Sequence, residues 1–207
     1  MEPDAIEIRV VGCLIEKQRT TPDAYPLSLN ALRLACNQST NRDPVVDYDE
    51  ATVSEALRRL ALRGWTRLAS GAGSRARKYR HLLPEALGVD EAELALLGVL
   101  MLRGAQTPGE LKQRSERLHG FAGLAEVEAT LDRLIERGYV RRERRPGQKE
   151  QRYEQLLGGS DDAPVVASGS SEAQEPVPAE DRLTRLEREL AELRAELASL
   201  REALGEG

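Results

Sequence analysis

Aromatic residues and long apolar runs are both scarce in this chain of 207 residues. One Trp, five Tyr and one Phe make up 3% of the sequence, so any core must be built mainly from Leu, Val and Ala. That composition favours packed helices over a β-sandwich. The longest apolar run is Leu94–Leu102, whereas a membrane-spanning helix needs about 20 residues. We therefore expect a mainly helical protein that does not interact with a membrane.

The chain also has only two Cys and two His residues, which excludes several kinds of chemistry. Two cysteines cannot form a disulfide framework, and Cys13 and Cys36 are not spaced with His81 or His119 as metal ligands would be. The glycine-rich segment 71–74 lacks the Lys-Ser/Thr ending of a phosphate loop. We expect no catalytic, cofactor or metal site, hence no enzyme, and His81 on a hairpin surface. The acidic N-terminus lacks a signal segment, which favours a cytoplasmic location.

Charge is distributed unevenly around the formal net value of −5. Residues 1–85 carry 13 basic and 11 acidic side chains, residues 86–157 carry 12 of each, and residues 158–207 carry 5 and 12. Residues 56–84 contain eight basic side chains and no acidic one. These eight are Arg58, Arg59, Arg63, Arg67, Arg75, Arg77, Lys78 and Arg80. Such an arginine-rich block predicts a surface that binds phosphate.

The sequence contains an internal repeat. At a shift of 86 residues, Gly12, Leu14, Thr21 and Pro22 fall on Gly98, Leu100, Thr107 and Pro108. At a shift of 74, a run that includes Leu60, Arg63, Gly64, Trp65 and Tyr79 falls on Leu134, Arg137, Gly138, Tyr139 and Tyr153. The two shifts predict two copies of one module, with 12 extra residues inside the first.

Each copy has the pattern of three helices followed by a β-hairpin. The first copy has three predicted helices, around Ile6–Leu14, from Ser28 to Asn37 and from Asp49 to Arg63. Hairpin strands at 65–69 and 75–81 follow them. The second copy begins near Asp90, has a helix start at 107–110 and a third helix at 124–137, and ends in strands at 139–144 and 149–155. We predict a mainly α fold with small β-hairpins (α+β): two tandem winged helix-turn-helix domains at residues 1–85 and 86–157.

In a winged helix the third helix can enter the major groove of double-stranded DNA while the hairpin lies along the phosphates. The predicted nucleic-acid-binding residues are Arg58, Arg59 and Arg63 on the helix and Arg75, Arg77, Lys78 and Arg80 on the wing. The second copy carries acidic residues on its third helix, so only its hairpin is a secondary candidate: Arg141, Arg142, Arg144, Arg145 and Lys149. The leading hypothesis is a regulatory DNA-binding protein. The alternative is an adaptor that docks other proteins through the same modules and binds no nucleic acid.

Several motifs resemble the YceH-like family of bacterial proteins. They are GCLIEKQ at 12–18, TTP at 20–22, YPLS at 25–28, ACNQ at 35–38, TNR at 40–42, GAGSR at 71–75, KY at 78–79 and LRGAQTPGEL at 102–111. The resemblance extends from residue 5 to about residue 157. It implies a tandem winged-helix fold and no particular activity. The sequence departs from the family pattern at 145–147, where an acidic residue is expected before the proline.

The loop around residues 36–44 is polar and lies in the stretch that the second copy lacks. Asn37, Gln38, Asn41 and Arg42 could contact bases, since Asn and Gln pair with adenine and Arg with guanine. Equally, Asn37 and Asn41 could cap helices while Arg42 pairs with Asp43 or Asp47. In the second case the loop is structural, and Asn37 ends its helix in the left-handed conformation.

The C-terminal segment has two parts. Residues 158–180 are rich in Gly, Pro and Ser and contain no basic residue, which predicts a disordered linker. Residues 181–207 carry an unbroken heptad seam: Leu183, Leu186, Leu190, Leu193, Leu197, Leu200 and Leu204. Flanking charges favour a parallel coiled coil, so we expect self-association as a homodimer, although leucine at every seam position also permits a trimer. A helix folded back on the modules is the alternative.

Overall fold

Residues 2–69, 77–143 and 150–158 are described by the computed structural model of the chain. The chain divides into two compact units, Met1–Asp162 and Ala163–Gly207, and every described residue belongs to the first. The predicted linker at 159–180 and the leucine seam at 181–207 lie outside the described residues. Within the described ranges, no helix is long and apolar enough to cross a bilayer.

The first repeat contains three helices and a three-stranded antiparallel sheet. Its elements are α1 (Ala5–Thr20), a 3₁₀ turn (Pro22–Ala24), β1 (Leu27–Ser28), α2 (Leu29–Cys36), α3 (Glu50–Leu62), β2 (Thr66–Leu68) and β3 (Lys78–His81). The strands are arranged in the order β1-β3-β2. The three predicted helices and the hairpin are therefore present, and β1 with the 3₁₀ turn is added to them.

The second repeat follows a short helix, α4 (Leu83–Leu87), on which the predicted boundary at residue 85 falls. Its elements are α5 (Glu91–Arg103), α6 (Pro108–Ser115), α7 (Leu124–Glu136), β4 (Val140–Glu143) and β5 (Arg152–Gln155). Strands β4 and β5 pair as an antiparallel hairpin. The described part of the chain is an α+β protein with small antiparallel sheets, as expected.

Equivalent capping residues begin α1 and α5. The Asp4 side chain accepts a hydrogen bond from the Glu7 amide at 2.8 Å, and the Glu7 side chain accepts one from the Asp4 amide. Asp90 and Glu93 form the same reciprocal cap at the start of α5. This capping box satisfies amide groups that have no partner inside the helix.

The register of the repeat differs from the predicted one around α2 and α6. Leu27 pairs with Tyr79 of the first sheet, and Gln106 pairs with Tyr153 of the second. The next residue, Ser28 or Thr107, is then the N-cap of α2 or α6. The structural shift here is 79 residues, so the match of residues 21–22 with 107–108 is not a structural equivalence. Of the extra residues in the first repeat, seven precede α2 and five follow it.

Helices α1 and α5 pack closely together at two glycines. A Cβ atom added to Gly12 would lie 3.0 Å from the Cβ atom of Met101, and one added to Gly98 would lie 3.0 Å from Cγ2 of Ile15. Gly12 and Gly98 are equivalent in the repeat, and so are Ile15 and Met101. The contact is therefore reciprocal, as in a symmetric dimer interface, and it joins the two repeats through one shared core.

Candidate nucleic-acid interface

The arginines of α3 are bound to carboxylates. Arg59 lies 2.6 Å from Asp4 and 3.2 Å from Glu7, and Arg63 lies 3.1 Å from Glu7. The Glu7 side chain is only 2% exposed. Burial raises the pKa of Glu7, but its hydrogen bonds to the Asp4 amide, Arg63 and Arg59 outweigh burial and hold the pKa below its usual value. Arg59 and Arg63 therefore fasten α3 to the start of α1.

The second repeat contains the same cluster. Arg133 lies 3.2 Å from Asp90 and 3.4 Å from Glu93, and Arg137 lies 3.0 Å from Glu93. These residues are the repeat equivalents of Arg59, Asp4, Glu7 and Arg63. The sequence carried this signal, because Asp4 and Glu7 fall on Asp90 and Glu93 at a shift of 86 residues. Because both repeats contain this cluster, its role in holding the helices together is sufficient to explain it, and no ligand is needed.

Arg58 has a different environment from its neighbours on α3. It pairs with Glu55 at 2.6 Å, and the two side chains are 63% and 48% exposed. An exposed ion pair of this kind is weak because water screens it, so a phosphate group can compete with Glu55 for the guanidinium. Arg58 therefore remains a candidate contact, whereas Arg59 and Arg63 have structural partners.

The hairpin of the first repeat places two arginines side by side. Arg67 on β2 is directly opposite Arg80 on β3, and Arg77 is exposed just before β3. In the described part of the chain, no carboxylate lies within 4.0 Å of these three guanidinium groups. Lys78 lies on β3 and is half-buried. Arg75, predicted as part of the same wing, lies outside the described residues.

The equivalent position in the second hairpin carries the opposite charge. Arg141 is directly opposite Glu154, and the two side chains form an ion pair at 2.8 Å. Arg142 pairs with Asp132 of α7 at 3.0 Å. Of the secondary wing residues, Arg144, Arg145 and Lys149 lie outside the described residues. The two described arginines of this wing are thus neutralised within the repeat.

A groove separates α3 from the first hairpin. Its volume is about 320 Å³. Arg58, Arg67 and Arg77 line it, together with Glu55, the ion-pair partner of Arg58. The fold therefore brings together arginines from the helix, from β2 and from the residue before β3, which are separated along the chain. A concave surface with basic groups on both sides can hold a phosphate backbone.

Comparisons with known proteins identify the family of the chain. Residues 4–148 match a family model described as "Protein of unknown function, DUF480". The chain belongs to the DUF480 family. A UPF0502 protein of Pelobacter propionicus is 49% identical over 201 residues, covering 94% of this chain and 91% of that protein. The UPF0502 protein YceH of Salmonella typhimurium is 45% identical over 220 residues, covering 99% of both. The resemblance to YceH-like proteins is thereby confirmed.

In this DUF480 protein the polar loop after α2 is held mainly by internal bonds. The Asn37 side chain donates to Asp47 and to the Tyr48 carbonyl, and it accepts from the Tyr48 amide. Its φ of −89° is not the left-handed value that we expected. The loop is therefore closed by an asparagine side chain that bridges its two ends.

Arg42 in the same loop is buried, and its partner is neither of the two aspartates that we expected. Its guanidinium lies 2.6 Å from the Glu16 carboxylate and also donates to the Gln38 side chain and the Ala35 carbonyl. Asn41 adopts a positive φ of 61°, and its side chain accepts a hydrogen bond from Arg103. The guanidinium of Arg42 and the Oε1 atom of Gln38 are thus engaged within the fold.

His81 of this family member is buried, which corrects the expectation of a surface residue. It is 5% exposed, and its Nε2 atom lies 2.7 Å from Oε1 of Gln18 on α1. Its backbone amide donates to the Tyr25 hydroxyl at 2.9 Å. Burial lowers the pKa of His81 to about 4. His81 therefore anchors the end of β3 on the core, as a neutral imidazole at pH 7.

Proposed function

We propose that this protein binds double-stranded DNA through its first repeat and acts as a regulatory factor. Each repeat is interpreted as a winged helix, in which the third helix faces the major groove and the hairpin lies along the phosphates. In the first repeat, α3 and the hairpin provide the contact groups around the groove. The proposed contacts are Arg58, Arg67, Arg77 and Arg80, with Arg75 and Lys78 completing the wing.

The opposed arginines of the first hairpin are the observation that carries this proposal. Like charges directly opposite each other on a sheet destabilise it. Arg67 and Arg80 form such a pair, whereas the second hairpin has the favourable pair Arg141 and Glu154 at this position. A phosphate backbone near Arg67 and Arg80 would relieve the repulsion. The first hairpin is therefore the proposed DNA-binding wing, and the second is a structural copy.

Fluorescence anisotropy with duplex DNA over a salt series tests the proposal. The logarithm of the binding constant should fall with the logarithm of salt concentration by about 0.9 per phosphate contacted. The triple variant Arg67→Gln, Arg77→Gln and Arg80→Gln should reduce that slope by about 3. The matched control removes three arginines from the second hairpin, Arg141, Arg142 and Arg152, and should leave the slope unchanged. Absence of binding at low salt would refute the proposal.

A charge exchange at one position makes the test more specific. Arg80→Glu would give the first hairpin the same arginine–glutamate pair that the second has, so the fold should persist. DNA affinity should nevertheless fall at least tenfold, because a carboxylate repels phosphate, a difference of about 1.4 kcal/mol. An Arg80→Glu variant that is folded and binds DNA as well as the unaltered protein would contradict the assignment of the wing.

Docking of another protein is a second candidate function, supported by exposed apolar side chains. Leu62 is 78% exposed and Leu68 is 53% exposed. An adaptor that used this surface would lose its partner in a pull-down when Leu68 is changed to Ser. The same pull-down would depend little on salt, which separates it from the steep salt dependence of DNA binding.

A further inference from the structure

A second basic cleft lies away from the first hairpin, where α1 meets α5 and α6. Its volume is about 360 Å³. Arg103, Arg114 and Arg117 provide its basic groups. The apolar residues among those that line it are Val99, Leu102 and Leu118, and the polar ones include Glu16, Thr20, Asn41 and Gln113. The cleft therefore combines an apolar part with a cluster of guanidinium groups, which is typical of ligand sites.

Glu16 is the acidic residue among those that line the cleft, and its charge is already compensated. Its carboxylate lies 2.6 Å from Arg42 and 3.4 Å from Lys17. Burial raises the pKa of Glu16, but the hydrogen bonds and charge of Arg42 outweigh burial and lower it. Glu16 is therefore ionised at pH 7. Its direct ion pairs are with Arg42 and Lys17, although its charge also favours the protonated form of Arg103.

The three arginines differ in how far they are compensated. Arg114 pairs with Glu110 at 3.3 Å, while Arg103 donates to the Asn41 side chain, a neutral group. In the described residues, no carboxylate lies within 4.0 Å of the exposed Arg117 guanidinium. Burial, followed by the nearby charges of Arg114 and Arg42, lowers the pKa of Arg103, while Glu16 and Asp43 act in the opposite direction. The geometry leaves Arg103 and Arg117 without a carboxylate within 4.0 Å in the described residues.

We propose that this cleft binds a small organic phosphate. The phosphate would lie between Arg103 and Arg117, and the organic part would pack on Val99, Leu102 and Leu118. Guanidinium groups bind phosphate oxygens through paired, charge-assisted hydrogen bonds. A doubly charged phosphate monoester matches two uncompensated arginines better than a singly charged carboxylate does. The site goes beyond the proposed DNA-binding function, because neither α3 nor the first hairpin lines it.

Calorimetric titration of the full chain with phenyl phosphate, benzoate and phenol tests this site. Phenyl phosphate should bind with a Kd below about 1 mM, benzoate at least tenfold more weakly, and phenol not detectably. Arg117→Gln should weaken phenyl phosphate binding at least tenfold, and the exposed position makes misfolding no concern. The control Lys112→Gln removes the same charge from α6 outside the cleft and should bind as the unaltered protein does.

The proposal would be overturned by no phenyl phosphate binding at about 10 mM, by equal binding in Arg117→Gln, or by equal binding of benzoate. DNA anisotropy separates this site from the proposed function. Arg117→Gln should keep full DNA affinity, and the hairpin triple variant should keep full phenyl phosphate affinity. If Arg117→Gln lost DNA binding as well, the cleft would belong to the DNA surface and the separate small-molecule site would be wrong.

Discussion

Arginine has two roles in the first repeat, and the group opposite each guanidinium decides which one applies. Arg59 and Arg63 are bound to the buried Glu7 carboxylate, and removing one partner of a buried ion pair leaves an uncompensated charge. Arg67 is opposite Arg80, so its charge is directed to solvent or to a ligand. Counting arginines in the sequence cannot separate these roles, since the decisive carboxylate comes from a helix more than 50 residues earlier.

His81 should make the stability of the protein depend on pH below neutrality. Its pKa is about 4 in the folded chain, mainly because of burial, with Arg80 and Arg19 lowering it and Glu85 raising it. In the unfolded chain the pKa is about 6.5. The unfolded state therefore binds more protons between these values, so the stabilisation present above pH 6.5 is lost as the pH falls towards 4. From pH 7 to pH 5 the loss should be about 2 kcal/mol.

Urea unfolding at pH 7 and pH 5 measures this loss. In His81→Gln the difference between the two pH values should largely disappear, because Gln does not titrate. His119→Asn, which removes the other histidine, should keep the difference seen in the unaltered protein. A pH dependence that is equal in His81→Gln and in the unaltered protein would show that His81 is not its source.

At the scale of elements, the contact between α1 and α5 depends on having no side chain at two positions. Gly12→Ala and Gly98→Ala would each place a Cβ atom 3.0 Å from a buried neighbour, and overpacking of this kind destabilises a core by about 1–3 kcal/mol. Gly109 in α6 has no heavy atom closer than 4.0 Å to such a Cβ atom. Gly109→Ala should therefore stabilise the protein by about 0.5–1 kcal/mol, because alanine favours the helix.

Thermal or chemical unfolding of the three alanine variants gives the comparison. The expected order of stability is Gly109→Ala, then the unaltered protein, then the two variants at the helix contact. If Gly12→Ala and Gly98→Ala were as stable as the unaltered protein, the close reciprocal packing of α1 and α5 would be contradicted. The same Gly→Ala substitution is expected to lower stability at Gly12 and Gly98 and to raise it at Gly109. A general effect of alanine on stability therefore cannot account for the result.

Local signals in the sequence were sufficient to predict most helices and strands. Pairings between residues far apart in the chain could not be predicted from them. The caps Ser28, Asp49 and Asp90 and the glycine after α3 act within one helical turn. Helices α2 and α3 therefore begin and end, and α5 begins, where the sequence indicated. Helix α4 has five residues, too few for a hydrophobic period to be recognised. Strand β1 has two, and it is defined by its pairing with the distant Tyr79.

The sequence indicates that the candidate site is rich in arginine, but it identifies only some of the residues that belong to the site. The acid-free block from residue 56 to residue 84 identified the hairpin and Arg58. It also included Arg59 and Arg63, because their carboxylate partners Asp4 and Glu7 lie outside the block, more than 50 residues earlier in the chain. The opposed pair of Arg67 and Arg80 depends on the strand register, which the hairpin loop length alone did not fix. The cleft at Arg103 and Arg117 was missed because its walls come from both repeats.

At the scale of the whole molecule, self-association would matter for the proposed function, because each chain has only one proposed DNA-binding hairpin in its described residues. The proposed heptad seam at residues 181–207 lies outside the described residues, and it would join two chains behind flexible linkers. Two linked binding sites raise the apparent affinity for a DNA that carries two targets, without new contacts, through effective concentration.

Sedimentation equilibrium tests whether the seam joins two chains. A single chain has a mass of 22.9 kDa, and the full chain should sediment at about twice this value if the seam forms a parallel dimer. The double variant Leu190→Glu and Leu197→Glu places charges in the seam and should sediment as a monomer. Its matched control, Ala191→Glu and Ala198→Glu, adds the same charges at the neighbouring b positions of the heptad and should remain dimeric.

The same variants connect self-association to DNA binding. On a duplex with two target sites the seam variant should bind at least tenfold more weakly than the control, because the second contact is no longer intramolecular. On a duplex with one site the two variants should bind equally, since each first repeat is unchanged. If the seam variant were monomeric and still bound the two-site duplex as tightly as the control, the wing would act alone. If both variants were dimeric, the chains would be joined elsewhere, and the heptad seam would not be the dimer interface.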